Sequence, residues 1–297
     1  MGKLRLTGED VAMNAISALA VMAVFVVTLY PVWYCLIYAL NDNVDSIKGD
    51  LYILPRVFTL ENFKTIFRNV NVICSYGVSA ARTLLGTLYS LALMMPAAYA
   101  LTKRGKLRFY KFYTAVFIVS MYFSGGIIPF YLLLMNMRLL NTFWVYILPG
   151  AVGYFNLLLI MAFLRELPSA LEDSAMIDGA NVFQILIMVV TPLSKPVIAT
   201  IAMFVAVGHW NDWFSTAYYT TDPNLMTIST YLTKLVQEEQ AKASMQSLAQ
   251  NTVTKQMLAA DMLKYACLIA TIAPIVMVYP FVQKFLVQGM MVGSIKA

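Results

Sequence analysis

The sequence predicts an all-α polytopic membrane protein with six transmembrane helices and one short charged helix at the membrane surface. Composition is the first reason: of 297 residues, 60% are hydrophobic and 12% are charged, whereas soluble domains have about 25% charged residues. The second reason is that apolar runs recur at lengths that cross a hydrocarbon core of about 30 Å. The third is that basic residues gather in short segments between these runs.

The first span is predicted from residues 11–41, which carry no charge. A cleaved signal peptide would have a shorter apolar stretch and a small-residue cleavage site, so we interpret this run as a retained span. The predicted spans cover residues 12–40, 74–101, 112–135, 143–164, 196–217 and 265–287. We treat residues 1–297 as one transmembrane domain.

Helix breakers predict where spans bend or begin. Gly125 and Gly126 lie inside the third span and indicate a bend there. Before the fifth span, residues 182–190 are also apolar. Joining them to the span would place Lys195 in the bilayer, at a cost of about 2.5–3.5 kcal/mol, and two prolines inside the helix. We therefore expect an interfacial segment, a turn over residues 192–196, and then span five.

Lys and Arg in the short segments predict orientation. These residues are Lys3, Arg5, Lys103, Arg104, Lys106, Arg108, Lys111, Arg165, Lys195, Lys284 and Lys296. With an even number of spans they all fall on one side, which predicts that both termini and the loop 165–195 are cytoplasmic. Segments 41–72 and 218–264 then lie on the opposite side. Both have mixed charge and are candidate contact surfaces for an external partner.

The loop 165–195 contains the short charged helix. Ser169 is a predicted N-cap with Glu172 three residues later, which is the capping-box spacing. Pro168 precedes the segment and Gly179 follows it, so both ends carry a boundary signal. About eight residues make a rod of roughly 12 Å, which is too short to span a bilayer and too marginal to be stable alone in water. We expect the helix to contact a soluble partner.

The sequence lacks the motifs that are typical of several kinds of chemistry. The chain has no GxxxxGK[ST] phosphate loop and no HExxH or GxSxG signature, which argues against ATP hydrolysis by that route and against the corresponding hydrolases. Cys35, Cys74 and Cys267 form no CxxC pair, so neither a disulfide framework nor a metal site is predicted. The net charge of +6 resides in short loops and not on an aromatic-lined face, which argues against nucleic-acid binding.

Polar residues towards the outer ends of two spans are candidates for a transport pathway. His209, Trp210, Asn211 and Asp212 form a cluster near the end of span five. They either bind a proton or solute, or belong to an aromatic belt at the headgroup level. Arg82 in span two either lines the pathway or extends to the interface or to a counter-charge. An ion- or proton-coupled secondary transporter that uses His209 and Asp212 is therefore one hypothesis. A membrane enzyme is another, but no convergent catalytic set is evident.

At the charged helix the sequence resembles the EAA loop of membrane subunits of ABC importers. That motif reads Glu-Ala-Ala, three residues, Gly, nine residues, and Ile-x-Leu-Pro. The chain supplies Asp173, Ser174, Ala175, Gly179, Val189, Thr191 and Pro192 at these positions. Four of the seven depart from the usual residue, although Glu172 provides an acid next to the first position. The six spans and the Gly-rich tail 287–293 are similar to the carbohydrate-importer branch, which includes the shorter maltose permease.

This resemblance implies a type I ABC importer permease fold in which the charged helix is a coupling helix docked on a cytoplasmic ATPase. The residues implied in coupling are Glu172, Asp173, Ala175, Asp178 and Gly179. It also implies a location in the bacterial inner membrane, in contact with lipid. The chain itself would be no enzyme, because ATP and Mg²⁺ bind to the ATPase subunits. The coupling motif favours the importer permease over the secondary transporter and the membrane enzyme, because neither of these two hypotheses explains the charged helix.

The resemblance also implies partners and a substrate. We expect a second permease subunit that forms a heterodimer with this chain, two ATPase copies and an extracytoplasmic solute-binding protein. The implied substrate is an oligosaccharide, with an acidic, alginate-like one as the best candidate. Lys234, Glu238, Glu239 and Lys242 in segment 218–264 are expected to face the solute-binding protein, and the tail after Lys284 is expected to reach the ATPase dimer.

Overall fold

The computed structural model describes residues 8–46, 48–103, 107–248 and 263–291. The α-helices are α1 (Gly8–Ala39), α2 (Asn43–Ser46), α3 (Glu61–Arg68), α4 (Val70–Thr102), α5 (Tyr110–Tyr122), α6 (Ile127–Asn136), α7 (Tyr154–Glu166), α8 (Ser169–Ile177), α9 (Val182–Gln184), α10 (Thr191–Leu193), α11 (Lys195–Asn211), α12 (Phe214–Tyr219), α13 (Ile228–Leu248) and α14 (Leu263–Met291). The chain forms two compact units, Met1–Asn69 with Leu235–Ala273 and Val70–Lys234 with Pro274–Ala297.

Length and composition identify helices that can cross a membrane. Within the described ranges, three helices qualify individually: Ala12–Ala39, Val70–Thr102 and Leu263–Phe281. Two bent pairs qualify only when each is counted as one span: Tyr154–Glu166 with Ser169–Ile177, bent by 73°, and Val182–Leu193 with Lys195–Asn211, bent by 82°. The six-span arrangement and its orientation therefore remain a prediction. Lys3, Arg5, Arg104, Lys106 and Lys296 lie outside the described residues.

The predicted third span is two helices separated by residues 123–126. α5 ends where Phe123 is extended, and α6 begins after Gly126, whose φ of +83° is accessible mainly to glycine. The predicted fourth span needs a correction, because residues 143–153 are not α-helical. Phe143–Tyr146 form a 3₁₀ turn, and α7 begins only at Tyr154. Pro149, Gly150 and Gly153 explain this difference, since proline and glycine both disfavour a continuous helix.

The first unit contains a hydrogen-bonded segment that follows α1. Asn41 is fully buried. Its amide nitrogen donates to Ser46 Oγ at 2.9 Å and its amide oxygen accepts from the Val57 N–H at 2.8 Å. Asn62 donates to the carbonyls of Ala39 and Asn41 at 3.0 and 2.9 Å. The backbone here lacks the hydrogen bonds of a regular helix or sheet, and the side chains of these two asparagines supply partners in their place. These bonds fix the loop between α1 and α3.

The second unit has its main core where α4, α7 and α11 pack together with residues 185–190. The fully buried members include Met94 and Ala98 of α4, Leu157 and Ile160 of α7, and Ile201 of α11. Between helices in a bilayer, van der Waals packing of such side chains holds the core together. Ala175 and Ala180, on either side of the end of α8, pack against the same core. This contact holds the short charged helix against the longer helices.

Candidate functional site

The charged helix α8 starts differently from the sequence prediction. Pro168 is the N-cap and Ser169 is the first helical residue, with no side-chain cap, so the predicted Ser169–Glu172 capping box is wrong. The Glu172 carboxylate points to α4 instead. It pairs with the Lys103 ammonium and accepts a hydrogen bond from the Tyr99 hydroxyl at 3.1 Å. Two partners with a proton to donate, one of them charged, outcompete a local backbone N–H for the same carboxylate.

The end of α8 explains the glycine of the motif. Gly179 has φ +84°, the left-handed conformation in which an L side chain is strained. Its N–H donates to the Met176 carbonyl at 3.1 Å, and the Ala180 N–H donates to the Ala175 carbonyl at 2.9 Å. These two bonds form a Schellman motif, which satisfies the last carbonyls of the helix. The helix therefore ends sharply at Asp178, its C-cap.

A capping box does occur, but it belongs to the next helix. Asn181 Oδ1 accepts from the Gln184 N–H at 2.9 Å, and Gln184 Oε1 accepts from the Asn181 N–H at 2.8 Å. This box was not predicted, although Asn and Gln three residues apart are the signal that identifies one. Together with Gly179 it makes a four-residue turn between α8 and α9.

The outward face of α8 combines acidic and apolar groups. Asp173 and Asp178 are both exposed, and Ile177 is 87% exposed. Glu172 is turned inwards, and its side chain is only 15% exposed. Of the predicted coupling residues, Asp173 and Asp178 can therefore contact a partner directly, whereas Glu172 and Ala175 contact this chain. A capped rod with exposed carboxylates can pair with basic groups on a docking protein.

The second half of the motif forms a π-helix. Ile185–Val190 adopt this wider helix, and the Thr191 hydroxyl donates to the Leu186 carbonyl at 2.7 Å. Pro192, which follows, has no N–H to donate to the preceding turn, and local widening accommodates that loss. The chain then bends at Ser194 by 82° before α11. The break falls within the turn that the sequence predicts for residues 192–196.

At the far end of α11, Asp212 is paired with Arg82 of α4. The Arg82 side chain is 3% exposed and the Asp212 side chain 27%. One guanidinium nitrogen contacts the carboxylate, and another donates to the Asp212 carbonyl at 3.0 Å. The carboxylate also accepts from the Ser215 N–H at 3.1 Å and the Ser215 hydroxyl at 2.5 Å. The Arg82 guanidinium lies 4.6 Å from the centroid of the Tyr146 ring, within cation–π range.

His209 packs directly on the backbone of α4. A β-carbon added to Gly86 would lie 2.7 Å from His209 Cε1, so only glycine leaves room for the imidazole at this position. Gly86 was not identified from the sequence. Its spacing of four residues from Arg82, which places both on one face of α4, is the signal that could have found it.

Arg82, His209 and Asp212 line a cavity of about 500 Å³ in the second unit. Its other polar or aromatic lining residues are Phe130, Tyr146, Asn156, Phe204, Phe214, Ser215 and Tyr219. The structure thus brings three of the five predicted pathway residues together. The other two lie elsewhere. Asn211 is exposed and does not line this cavity, and Trp210 borders a separate apolar cavity of about 570 Å³.

Comparison with known proteins identifies relatives across nearly the whole chain. The family described as "Binding-protein-dependent transport system inner membrane component" matches residues 11–292. Protein LplC of Bacillus subtilis (strain 168) is 36% identical over 270 residues, which cover 91% of this chain and 90% of that protein. The "Polygalacturonan/rhamnogalacturonan transport system permease protein YtcP" of the same organism is 34% identical over 257 residues, covering 86% and 88%.

The fold is also similar to that of solved structures. A chain in "Crystal structure of a bacterial ABC transporter involved in the import of the acidic polysaccharide alginate" has a TM-score of 0.83 and 24% identity, with 95% of this chain and 99% of that chain covered. A second chain, from a bacterial alginate ABC transporter in complex with an alginate pentasaccharide-bound periplasmic protein, has a TM-score of 0.57 and 14% identity, covering 92% and 93%. With the family match over residues 11–292, this chain belongs to the inner-membrane components of binding-protein-dependent transport systems, the permease subunits of ABC importers.

Proposed function

We propose that this permease forms one half of the translocation pathway of an ATP-driven importer of acidic oligosaccharides, and that a separate ATPase moves it through α8. The observation that carries the coupling role is the outward face of α8, where Asp173 and Asp178 are exposed beside Ile177. A short rod capped at its end by Gly179 can transmit a rigid-body displacement, which is how packed helices respond to a moving partner.

The chain supplies no ATP site of its own in this proposal. Its sequence has no phosphate-binding loop, and the exposed charged groups at α8 are carboxylates, which repel nucleotide phosphates. ATP and Mg²⁺ therefore belong to the partner ATPase, of which two copies dock below the two permease chains. Both termini and α8 lie on the cytoplasmic side, in keeping with the distribution of Lys and Arg.

Other partners complete the pathway. A second permease subunit forms the other half, and segments 41–72 and 218–264 face a solute-binding protein on the outside. One similar structure contains a periplasmic protein with an alginate pentasaccharide bound to it, which supports this assignment. Lys234 and Glu238 are exposed on α13 and are candidate contacts. The side chains of Glu239 and Lys242, and the residues after 291 that include the end of the tail, lie outside the described residues.

The substrate class is inferred from the cavity and from the relatives. A volume of about 500 Å³ is typical of small-molecule sites, and aromatic rings such as Tyr146, Phe214 and Tyr219 offer apolar faces to sugar rings. Arg82 lines the cavity wall, and a guanidinium is well suited to bind a carboxylate. YtcP is described as transporting polygalacturonan/rhamnogalacturonan, and the similar structure as importing alginate. Both polysaccharides contain uronic acids.

The geometry does not favour a proton-coupled secondary transporter. Such a mechanism needs an acidic side chain that exchanges its proton during the cycle. The Asp212 carboxylate is instead bonded to Arg82 and to both donors of Ser215, so its hydrogen-bond partners are groups of this chain.

The test is stimulation of ATP hydrolysis in the assembled transporter. We would purify the chain with the partners encoded beside it, reconstitute the complex in proteoliposomes, and add solute-binding protein loaded with oligogalacturonate or alginate oligosaccharides. The matched control is an oligosaccharide of the same length whose carboxyl groups have been reduced to alcohols. We expect stimulation by an acidic oligosaccharide and little by its reduced form. Equal stimulation by the two would contradict the acidic substrate, and uptake without ATP would contradict the importer.

A further inference from the structure

Two neighbouring acids on α8 face opposite directions. Asp173 is exposed to solvent, whereas the Glu172 carboxylate is bonded to Lys103 and to Tyr99 of α4. The Lys103 ammonium also lies 5.0 Å from the centroid of the Tyr99 ring. We name these three side chains the Glu172 junction. It joins the charged helix to the C-terminal end of α4 and is shielded, with Glu172 15% and Lys103 35% exposed.

The other functional contacts of α4 lie further back along the same helix. Arg82 binds Asp212, and Gly86 accommodates His209, so this part of α4 forms a wall of the cavity. At about 1.5 Å per residue, the seventeen steps along the helix from Arg82 to Tyr99 cover roughly 26 Å. One continuous helix, Val70–Thr102, therefore contacts both α8 and the cavity.

The part of α4 between these two contacts is packed in the core of the second unit. It contains Pro96, which removes one hydrogen bond of the helix. Around it, Met94, Met95 and Ala98 are buried in the core that α4 shares with α7, α11 and residues 185–190. Close packing of this kind resists bending, because side chains in such a core have no free volume to move into.

We propose that Glu172 is a positioning residue that ties α8 to α4, so that α4 carries the displacement of α8 to the Arg82 end of the cavity. This inference rests on the proposed docking of an ATPase on α8. The two neighbouring acids then have different roles: Asp173 contacts the ATPase, and Glu172 transmits the resulting movement within the permease.

A simpler role for Glu172 would be to complement the helix dipole at the start of α8. The Glu172→Asp variant separates the two roles, because it keeps a negative charge in the first helical turn but shortens the side chain by one methylene. The charge swap Glu172→Lys with Lys103→Glu separates them again. It restores an ion pair between the helices while placing an unfavourable positive charge near the helix start.

The experiment uses the complete transporter in proteoliposomes, with three readouts: the amount of bound ATPase, the rate of ATP hydrolysis, and the substrate imported per ATP hydrolysed. The variants are Glu172→Gln, Glu172→Asp, Glu172→Lys and the charge swap. The control is Glu166→Gln, which changes an exposed carboxylate at the end of α7. Removing a hydrogen bond to a charged group changes the equilibrium constant for the contact that it stabilises by roughly tenfold.

We expect Glu172→Gln and Glu172→Asp to keep the ATPase bound and to import about tenfold less substrate per ATP hydrolysed. The charge swap should recover a substantial part of the loss seen in Glu172→Lys, and Glu166→Gln should behave as wild type. Normal import per ATP in Glu172→Asp, or a charge swap no better than Glu172→Lys, would overturn the inference. So would loss of the ATPase from Glu172→Gln, since Glu172 would then be a contact residue. A wild-type permease that binds no ATPase would instead overturn the proposed function.

Discussion

At the scale of single residues, the cavity depends on two contacts between α4 and the end of α11. Arg82 and Asp212 are 130 positions apart in sequence, and no spacing rule connects residues so distant. The sequence identified both as candidates because charges within apolar runs are uncommon and functional. It left open whether Arg82 has a counter-charge, and the structure shows that Asp212 is that counter-charge. Gly86 was not predicted, because the need for glycine within a helix becomes evident only when the residue packed against it is known.

Gly86→Ala should displace His209. The added β-carbon would lie 2.7 Å from His209 Cε1 and 2.8 Å from Cδ2, so the imidazole must rotate away or the helices must separate. Overpacking of this kind costs about 1–3 kcal/mol. We expect a lower unfolding temperature in detergent and reduced transport. The matched control is Gly77→Ala on the same helix, where an added β-carbon meets nothing within 4 Å; equal effects of the two substitutions would contradict the contact.

The Arg82–Asp212 pair should show strong coupling in a double-mutant cycle. Arg82→Met leaves a partly buried carboxylate without its cation, and we expect a loss of about 3 kcal/mol in the free energy of unfolding. Asp212→Asn should be comparable, because Arg82 is almost fully buried. The double variant should be destabilised by clearly less than the sum of the single ones. Unfolding measured by fluorescence in detergent gives the three values, and simple additivity would show that the pair contributes nothing.

At the scale of elements, the boundaries of α8 depend on backbone conformation more than on side-chain caps. The sequence placed the helix within one residue of its start and correctly ended it before Gly179. The predicted cap was wrong because Glu172 bonds to Tyr99 of α4 and to Lys103 just after α4, and such contacts between distant residues cannot be read from local sequence. The first part of the predicted span 143–164 is not α-helical for the opposite reason: residues 143–153 are hydrophobic enough to belong to a span, but Pro149 and Gly150 locally exclude a continuous helix.

Gly179→Ala should destabilise the end of α8. Forcing a residue with a β-carbon into the left-handed region costs about 1–2 kcal/mol. We expect weaker association of the ATPase with the permease, measured by co-purification at increasing salt. Gly179→Asn is the control, because asparagine tolerates this conformation better than other non-glycine residues. If alanine and asparagine behave alike, strain at this position is not the cause.

The segment after α1 should lose stability in acid through Asp45. Hydrogen bonds from Arg56, and then from Lys48 and Asn41, lower the pKa of this carboxyl well below its usual value. A depressed pKa means that the stabilisation is complete above the unfolded value of about 3.9 and is lost as the pH falls below it. Wild-type protein should therefore lose thermal stability between about pH 4 and pH 2 more steeply than Asp45→Asn. Asp50→Asn, a change at an exposed neighbour, should retain the wild-type pH dependence.

At the scale of the whole molecule, composition and run lengths were sufficient for the fold class, because a lipid environment restricts the solutions to helices or closed barrels. The family was predicted from the spacing of the motif around α8 together with the six predicted spans and the Gly-rich tail, and the match over residues 11–292 shows it. Which helices meet was not predictable. The lipid-facing and packed faces of an apolar helix look alike in sequence, so the central position of α4 between α7, α11 and α8 emerges only from the structure.

The central claim is that a soluble ATPase moves this permease through the outward face of α8, and co-purification tests it most directly. We would express the permease with its partners, isolate it in mild detergent and quantify the bound ATPase for wild type, for Asp173→Lys with Asp178→Lys, and for Glu166→Lys as a control at another exposed acid. We predict that the wild type and the control retain the ATPase, whereas the double charge reversal loses it while remaining folded and inserted. An ATPase that stays bound to the double variant would contradict the claim.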